Sequence, residues 1–279
     1  LVGVFDLNID AAKTVTEKVG QGEAVSDIDA LIMASDAVMI ATPATSHAQL
    51  DARALRAGKH VFVEKPLALT AAESQALVSL AATKNVILQV GHQERLVFDA
   101  MGVLSAPETP TRLEAVRAAP PSPTGRCEDV SAVFDLMVHD IDLANCIFDG
   151  KGRVTKASGK SAHTALLDEA SAEITYDNGV AHFIASRCAP ERKRTMRITY
   201  PSGDVSIDFL AKTVDNDTPF DIKLDVSDII PDPLQAADEA FFSAAAGRSQ
   251  PIIPGEDGAY AASLAEAVEQ AATPLVAES

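Results

Sequence analysis

Short apolar runs alternate with amphipathic segments through the first third of the chain. Buried strands are predicted for the apolar runs at residues 1–5, 36–43, 60–63 and 85–91. The segments between them carry apolar residues at helical spacing, at about residues 10–20, 26–32, 46–57 and 70–83. Nearly continuous apolar strands that alternate with helices are typical of a parallel sheet covered on both faces. The pattern therefore predicts an α/β fold whose first domain, residues 1–91, is a Rossmann-type doubly wound parallel sheet.

Polar residues at the ends of the predicted helices support these boundaries. Asp10 is placed to cap the first helix, and Gly20 suits its end. Thr70 and Glu73 have the spacing of a capping box, which predicts the start of the last helix of this domain.

The pattern changes after Gly91. Alternating strands are predicted at residues 112–118, 170–176, 181–187, 195–200 and 204–210, and helices at about 131–149, 234–246 and 258–272. Asp177-Asn178-Gly179 and Pro201-Ser202-Gly203 are hairpin turn signals. These features predict a second, α+β domain, residues 92–279, with a large open, mostly antiparallel sheet. Its last helix is a candidate to pack back on the first domain.

Composition limits the classes of partner. Of the 279 residues, 47% are hydrophobic, which is enough for two domain cores. The formal charge of −17 argues against nucleic acid or an anionic membrane as partner, although local arginines still permit an anionic small molecule. Cys127, Cys146 and Cys188 lack metal or redox spacing, and we find neither a signal peptide nor an apolar run near the roughly 18 residues of a membrane span. A reduced, cytoplasmic protein is therefore expected.

The first strand is followed by Asp6 rather than by a glycine-rich turn. A Rossmann domain begins with a strand, a Gly-x-Gly-x-x-Gly turn and a helix whose N-terminus holds the pyrophosphate, and the chain has none of these. Asp6 instead occupies the position of the acidic residue that binds the adenosine ribose after the second strand. We therefore expect about 30 further residues before Leu1. A carboxylate here repels a 2′-phosphate, which favours NAD over NADP; the alternative is that Asp6 is a plain turn residue.

Glu64-Lys65-Pro66 follows the strand at residues 60–63. Ligands of open parallel sheets bind beyond the carboxyl ends of the strands, so this charged pair lies where chemistry is usually done. Alone, the tripeptide is equally compatible with an ordinary surface loop. The Lys65-Pro66 bond is a candidate for cis geometry, because a tight turn would direct the amine back into the cleft.

Asp135 and His139 are four residues apart in the predicted helix at 131–149, so they should lie on one helical face. A carboxylate beside an imidazole orients it and raises its basicity, as a general base requires. Asp142 extends the stripe and suggests a metal site as an alternative, but it is nearly two turns from Asp135, so one ion would be hard to share. We therefore predict no metal.

The other histidines carry weaker signals. His47 follows Thr42-Pro43 at another strand end, where it is able to contact a cofactor or to cap the next helix. His92 precedes the polar cluster Gln93-Glu94-Arg95. His60, His163 and His182 have no partner pattern and are interpreted as structural or surface residues.

Together these residues resemble the Gfo/Idh/MocA family of NAD(P)-dependent oxidoreductases over essentially the whole chain. The resemblance rests on Asp6, Ala41-Thr42-Pro43, Glu64-Lys65-Pro66 and Asp135-x-x-x-His139. It implies that Lys65, Asp135 and His139 are catalytic and surround the hydroxyl carbon that is oxidised. The cofactor residues would be Asp6, Thr42, Pro43, His47, Glu64, Lys65 and Gln93. It also implies a homodimer or homotetramer formed through the open sheet.

Three segments are similar to the branch of UDP-N-acetylglucosamine 3-dehydrogenase-type members: residues 91–95, 122–126 and 135–144. This similarity implies a nucleotide-sugar substrate oxidised at C3. The substrate residues would then be Lys65, Glu94, Arg95, Arg126, Asp135 and His139. Arg95 and Arg126 are able to offer bidentate donors to a diphosphate or carboxylate, and are equally compatible with surface ion pairs.

The reaction expected from this resemblance is transfer of a hydride from a sugar carbon to NAD⁺, with loss of the hydroxyl proton. His139, oriented by Asp135, is the preferred proton acceptor, and Lys65 stabilises the developing alkoxide. The roles of Lys65 and His139 are interchangeable at this point. Two alternatives stay open: another sugar or inositol dehydrogenase of the same family, and a non-catalytic dinucleotide-binding sensor.

Overall fold

The computed structural model describes residues 1–125 and 128–272 of the chain. Strands and helices alternate through the first part, in accordance with the apolar pattern. These elements are β1 (Gly3–Val4), α1 (Ile9–Val19), β2 (Glu23–Ala24), α2 (Ile28–Ala34), β3 (Ala37–Ile40), α3 (His47–Arg56), β4 (His60–Glu64), α4 (Ala71–Lys84) and β5 (Leu88–Gly91). A short 3₁₀ turn, Ala44–Ser46, precedes α3.

All strand pairs in this part are parallel, so the predicted Rossmann-type arrangement is confirmed. The described strands nevertheless form two sheets, β1-β2 and β3-β4-β5, where the sequence predicts one. No described strand is hydrogen-bonded to both β1 and β3, which would join the two sheets. Met39 on β3 is accordingly 43% exposed, although the strand reads as a buried run.

Asn8, and not Asp10, caps the first helix. The Asn8 side chain accepts a hydrogen bond from the Asp10 N–H at 3.1 Å, because the helix begins at Ile9 and Asp10 lies within its first turn. Gly20 ends this helix in a left-handed conformation, as predicted. The predicted cap at Thr70 is also confirmed, since its hydroxyl accepts the Glu73 N–H at 3.1 Å.

The second part is built on a seven-stranded sheet with the strand order β12-β11-β10-β6-β9-β8-β7. Neighbouring strands are antiparallel except β6 and β9, which confirms the prediction of a mostly antiparallel sheet. Its elements are α5 (Glu94–Ala100), β6 (Arg112–Ala118), α6 (Val138–Ile147), β7 (Arg153–Lys160), β8 (Glu169–Thr175), β9 (Val180–Ser186), β10 (Lys193–Tyr200), β11 (Gly203–Asp208), β12 (Thr213–Asn216), α7 (Pro233–Ala245) and α8 (Gly255–Ala272). Strands β2, β7 and β12 were not predicted; the two edge strands β7 and β12 contain no fully buried residue, so no apolar face marks them in the sequence.

The predicted helix at 131–149 has two parts. A π-helical turn, Val133–Met137, precedes α6, and the Val138 N–H bonds to the Val133 carbonyl five residues earlier. Such wide turns inside helices occur frequently at functional sites. The turn also changes which side chains are stacked on one face.

Helix α8 belongs to both hydrophobic cores. Its Ala259 packs in the core of the parallel sheet, whereas Leu264 and Val268 pack in the core of the large sheet. Small residues let the helix approach β5 closely: a Cβ on Gly258 would lie 2.4 Å from Val90 Cγ2. Among the described residues, no helix combines the length and the apolar character needed to cross a lipid bilayer.

Gly258→Leu should therefore separate α8 from β5. We expect the free energy of unfolding to fall by about 1–3 kcal/mol, because the added side chain overpacks a closed interface. Urea unfolding followed by circular dichroism measures the change. Ala271→Leu, at an exposed position of the same helix, is the control and should stay within about 0.5 kcal/mol of wild type. Equal losses in both variants would contradict the close contact.

Candidate active site

Lys65 stands at the carboxyl end of β4 and points across to the second part of the molecule. Its Nζ donates a hydrogen bond to the Asp135 backbone carbonyl at 2.8 Å and lies 3.5 Å from Asp135 Oδ1. The side chains of Lys65 and Asp135 are 19% and 18% exposed, so the pair is largely withdrawn from solvent. The Lys65-Pro66 peptide bond is cis, as the sequence suggested. Two of the predicted catalytic residues therefore meet in space.

His139 does not pair with Asp135, and this corrects the predicted orientation of the imidazole. The carboxylate that faces it is that of Glu94, whose Oε1 lies 3.4 Å from His139 Nδ1. The reason is the π-helical turn, which holds an extra residue, so that residues four apart no longer stack as they do in an α-helix. Asp135 is thereby directed to Lys65 and His139 to Glu94.

The surroundings of His139 favour its neutral form. Burial lowers the pKa of His139 well below its usual value, and the positive charges of Lys65 and Arg117 act in the same direction, against the opposing effect of Glu94. A neutral imidazole is able to accept a proton, which is what a general base must do. His92, on the loop after β5, lies edge-on to His139 with ring centroids 6.4 Å apart, and burial lowers the pKa of His92 too.

Glu94 was predicted to bind substrate, but its carboxylate is already surrounded by cations of the protein. Arg117 donates to both of its oxygens at 3.1 and 2.9 Å, and Arg194 Nη2 lies 2.5 Å from Oε2. Although burial acts to raise the pKa of Glu94, the two arginines hold it well below its usual range. Glu94 is therefore an anion that belongs to the protein's internal network.

Arg95 was also predicted to bind substrate, and the structure directs it elsewhere. Its Nε and Nη2 donate to Asp142 at 2.7 and 2.6 Å, and its Nη1 donates to Asp257 at 2.6 Å. The ion-pair alternative is thus the one observed, but it is a buried pair that ties α5, α6 and α8 together. Arg126 lies outside the described residues. Within the described ranges, no group of three metal-binding side chains is found. Asp142, which the metal alternative invoked, accepts hydrogen bonds from Arg95 instead.

Glu64 and Gln93 adjoin Lys65 on the side of the parallel sheet. Burial raises the pKa of Glu64, while Lys65 and a hydrogen bond from the Gln93 amide limit the rise. The Gln93 carbonyl Oε1 is buried and has no hydrogen-bond partner in the described part of the chain. An unpartnered acceptor of this kind suits a ligand that brings a donor, such as a carboxamide.

His47 links two strand ends and does not cap α3. Its Nδ1 lies 2.7 Å from the Pro66 carbonyl oxygen and its Nε2 lies 2.9 Å from that of Thr42. The side chain is 1% exposed, so the ring holds the loop after β3 against the loop after β4 rather than reaching out to a ligand. The Thr42 hydroxyl bonds to Ser46, and Pro43 begins the turn before α3.

Asp6 lies just beyond β1, at the carboxyl end of that strand. Its Oδ1 accepts the Asn8 N–H at 2.7 Å, and the side chain is exposed. This agrees with its predicted position at a strand end, where one carboxylate oxygen remains open to a hydroxyl.

A cleft of about 530 Å³ extends from Lys65 and Asp135 along the proline-rich loop. His139 does not line this cleft, so Lys65 is the residue that connects the cleft with the imidazole. The far wall contains residues that sequence reasoning did not assign to the site: His163, Thr164, Asp168, Arg187 and Arg192. His163 was interpreted as a structural or surface residue. In the sequence, only the proline-rich loop indicated this cleft, because the other wall residues are far apart along the chain.

Asp168 holds this wall together. Its Oδ2 accepts the N–H groups of Ala162, His163 and Thr164 at 2.6–2.9 Å, and its Oδ1 accepts Arg187 Nε at 2.7 Å. Burial acts to raise the pKa of Asp168, but these donors hold it well below its usual range. The fully buried carboxylate thereby fixes the loop that precedes β8 as one side of the cleft.

Comparisons with known proteins agree with this geometry. A family model described as an oxidoreductase family with an NAD-binding Rossmann fold matches residues 1–92, and a GFO/IDH/MocA C-terminal domain model matches residues 114–206. A UDP-N-acetylglucosamine 3-dehydrogenase from Acidithiobacillus ferrooxidans is 37% identical over 77% of this chain and 68% of its own. Its crystal structure superimposes with a TM-score of 0.85 at 34% identity, covering 97% of this chain and 89% of that one. A myo-inositol 2-dehydrogenase from Thermotoga maritima is 28% identical over 61% of this chain and 52% of its own, about half its length.

Asp168→Asn should destabilise the protein in a pH-dependent way. Asp168→Asn removes one partner of a buried ion pair with Arg187, and we expect a loss of about 3–5 kcal/mol in the free energy of unfolding at pH 7. Because the folded-state pKa of Asp168 is depressed, its contribution is complete above the unfolded value and is lost as pH falls toward the folded value. The difference from wild type should therefore shrink below about pH 5. Chemical unfolding between about pH 7 and about pH 2 measures it. Asp215→Asn, an exposed aspartate on β12, should show no such dependence; a constant difference for Asp168→Asn would contradict the assignment.

Proposed function

This chain belongs to the Gfo/Idh/MocA family of oxidoreductases, and we propose that it oxidises a ring hydroxyl of a nucleotide sugar, UDP-N-acetylglucosamine at C3, with NAD as acceptor. The observation that carries this proposal is the pair of Lys65 and Asp135 at the carboxyl end of β4, with a neutral His139 near enough for the charge of Lys65 to act on its pKa. A lysine, a carboxylate and an unprotonated imidazole are the groups needed to take a proton from a hydroxyl and to stabilise the oxygen anion that forms.

The proposed division of roles follows from the charges. His139 takes the hydroxyl proton, since burial keeps its ring neutral and Glu94 stands beside it to stabilise the cation that forms. Lys65, held by Asp135 through its Nζ, donates to the substrate oxygen and stabilises its developing negative charge. Bound NAD would supply the acceptor for the hydride that leaves the carbon bearing this oxygen.

Residues at the strand ends fit the proposed cofactor. Asp6 would hydrogen-bond the adenosine ribose, and its exposed carboxylate disfavours a 2′-phosphate there. Gln93 would use its buried, unpartnered carbonyl for the carboxamide, next to Glu64 and Lys65. Thr42 and Pro43 would form the adjoining wall, which His47 supports from behind.

The cleft supports a substrate larger than a free sugar. Its volume of about 530 Å³ lies within the roughly 300–1,000 Å³ of pockets that enclose drug-sized ligands. Arg192 also lines the cleft, and the described residues offer this guanidinium no ion pair. An unpaired cation at a distance from Lys65 suits the diphosphate of a nucleotide sugar whose ring lies at Lys65. The relative with 37% identity acts, by its name, on such a substrate.

The large sheet suggests how copies of the chain associate. Its strands alternate buried and more exposed residues, so one face covers the core and the other is open; Ile184 on the open face is 48% exposed. We propose that a second copy covers this face in a homodimer or homotetramer.

Substrate preference tests the proposal directly. We expect NADH to form with UDP-N-acetylglucosamine, measured at 340 nm, and to form far more slowly with free N-acetylglucosamine or myo-inositol. Preference for myo-inositol would support the second candidate, to which the Thermotoga maritima relative points. Nucleotide binding without turnover of any of these compounds would indicate a sensor.

Lys65→Met and His139→Ala should each lower kcat by a factor of at least about 10². Both changes remove a group that acts on the hydroxyl, so NAD binding, measured by fluorescence titration, should stay near wild type. Lys59→Met is the matched control, because this lysine bonds to the Met33 carbonyl at the other end of β4. Near-normal turnover in both site variants would contradict the assignment.

A further inference from the structure

We propose that Glu94 is the positioning residue of His139: its carboxylate faces Nδ1, holds the proton on that nitrogen and leaves Nε2 free to accept the hydroxyl proton. This role deepens the proposed function and depends on it, since His139 matters as a base only if a hydroxyl is oxidised. In the sequence, Asp135 has the spacing for such a role and Glu94 does not.

The geometry around the ring distinguishes its two nitrogens. Nδ1 is fully buried and has no hydrogen-bond partner in the described part of the chain, and Glu94 Oε1 is 3.4 Å away. The side chain as a whole is 16% exposed, so its open surface lies on the rest of the ring, away from Nδ1. Catalytic hydrogen bonds are often long before substrate binds. A small movement of Glu94 Oε1 toward His139 Nδ1 would bring the two atoms to hydrogen-bond distance.

Glu94 is itself held in place from the opposite side. Arg117 on β6 donates to both carboxylate oxygens, and Arg194 on β10 approaches one of them. Arg117 is in turn held by Asp140 at 2.8 Å. A carboxylate that is fixed by two guanidinium groups keeps its charge and its direction, which are the two properties needed to orient an imidazole.

The other charged groups near His139 do not compete for Nδ1. Asp135 bonds to Lys65, Asp140 to Arg117 and Asp142 to Arg95. The remaining neighbours are cations, which cannot accept the Nδ1 proton, and the His92 ring, neither of whose nitrogens has a hydrogen-bond partner in the described part of the chain. The groups that face this ring or its partner Glu94 from the surrounding elements are Lys65 after β4, His92 after β5, Glu94 on α5, Arg117 on β6, Arg194 on β10, and Asp135, Asp140 and Asp142 along the same helical segment.

The chemical consequence concerns the tautomer. An imidazole has one proton when neutral, and the partner of one nitrogen decides which nitrogen is left to act as base. With Nδ1–H directed at Glu94, the hydroxyl proton passes to Nε2, and the imidazolium that forms then donates Nδ1–H to a carboxylate that is already ionised. The proton count balances without any proton on Glu94.

Glu94→Gln separates this role from a merely structural one. The amide keeps the size of the carboxylate but has a single acceptor oxygen, for which Arg117 and Arg194 compete. Its NH₂ group is then turned toward His139 and donates to Nδ1, so the ring proton must move to Nε2. We expect kcat to fall by roughly 10²- to 10⁴-fold, because the base is present in the wrong tautomer.

The tautomer is measured directly by ¹⁵N NMR of histidine-labelled protein at neutral pH, with the His139 signals assigned by their loss in His139→Asn. We expect the Nδ1–H form in wild type and the Nε2–H form in Glu94→Gln. Glu173→Gln is the matched control, since Glu173 lies 3.6 Å from His182 Nε2 on the large sheet, and it should change His182 signals only.

Each outcome decides between the readings. An Nε2–H tautomer in wild type, or an unchanged tautomer in Glu94→Gln, overturns the proposal, and the wild-type result decides alone if the variant does not fold. The spectrum requires no substrate, so it is independent of the proposed reaction. If His139→Ala retains turnover while the tautomer behaves as expected, the proposed function fails and the contact between Glu94 and His139 stands.

Discussion

The hydrogen bond from Lys65 Nζ to the Asp135 carbonyl joins the two parts of the molecule at the proposed site. Lys65 depends on the parallel sheet for its position, whereas Asp135 depends on the helix that lies against the large sheet. Neither element alone would place an amine beside a carboxylate. The Arg95 ion pairs and helix α8, which contributes to both cores, keep the two parts in the register that this bond requires.

Ion pairing inside the protein decides which charges remain available for a ligand. Ionised groups are expensive to bury unless they are paired, and the carboxylates here are paired with nearby arginines: Glu94 with Arg117 and Arg194, Asp142 with Arg95, and Asp168 with Arg187. The pair with Asp142 engages Arg95, which the sequence assigns to substrate. The ion pairs also fix the positions of the helices and strands around Lys65 and His139.

Several features could be predicted from sequence because they depend on local pattern. The apolar runs that form β3, β4 and β5, the caps at Gly20 and Thr70 and the position of Lys65 after a strand all follow from neighbouring residues. The partner of His139 could not be predicted, because a π-helical turn replaces the regular helix that the spacing of Asp135 and His139 assumes. The partners of Arg95 and Asp168 could not be predicted either. Asp257 and Arg187 are distant from them in sequence and come into contact with them only in the folded chain.

The overall charge of −17 and the proposed anionic substrate are compatible because binding depends on the local field. Exposed carboxylates far from the cleft act through water and salt, which screen them over about 8–10 Å. Within the cleft, Asp168 is neutralised by Arg187 and by three backbone donors, so it contributes little repulsion. Lys65 and Arg192 then supply the cations that a diphosphate would meet, in a lining that also contains Asp135 and Glu128.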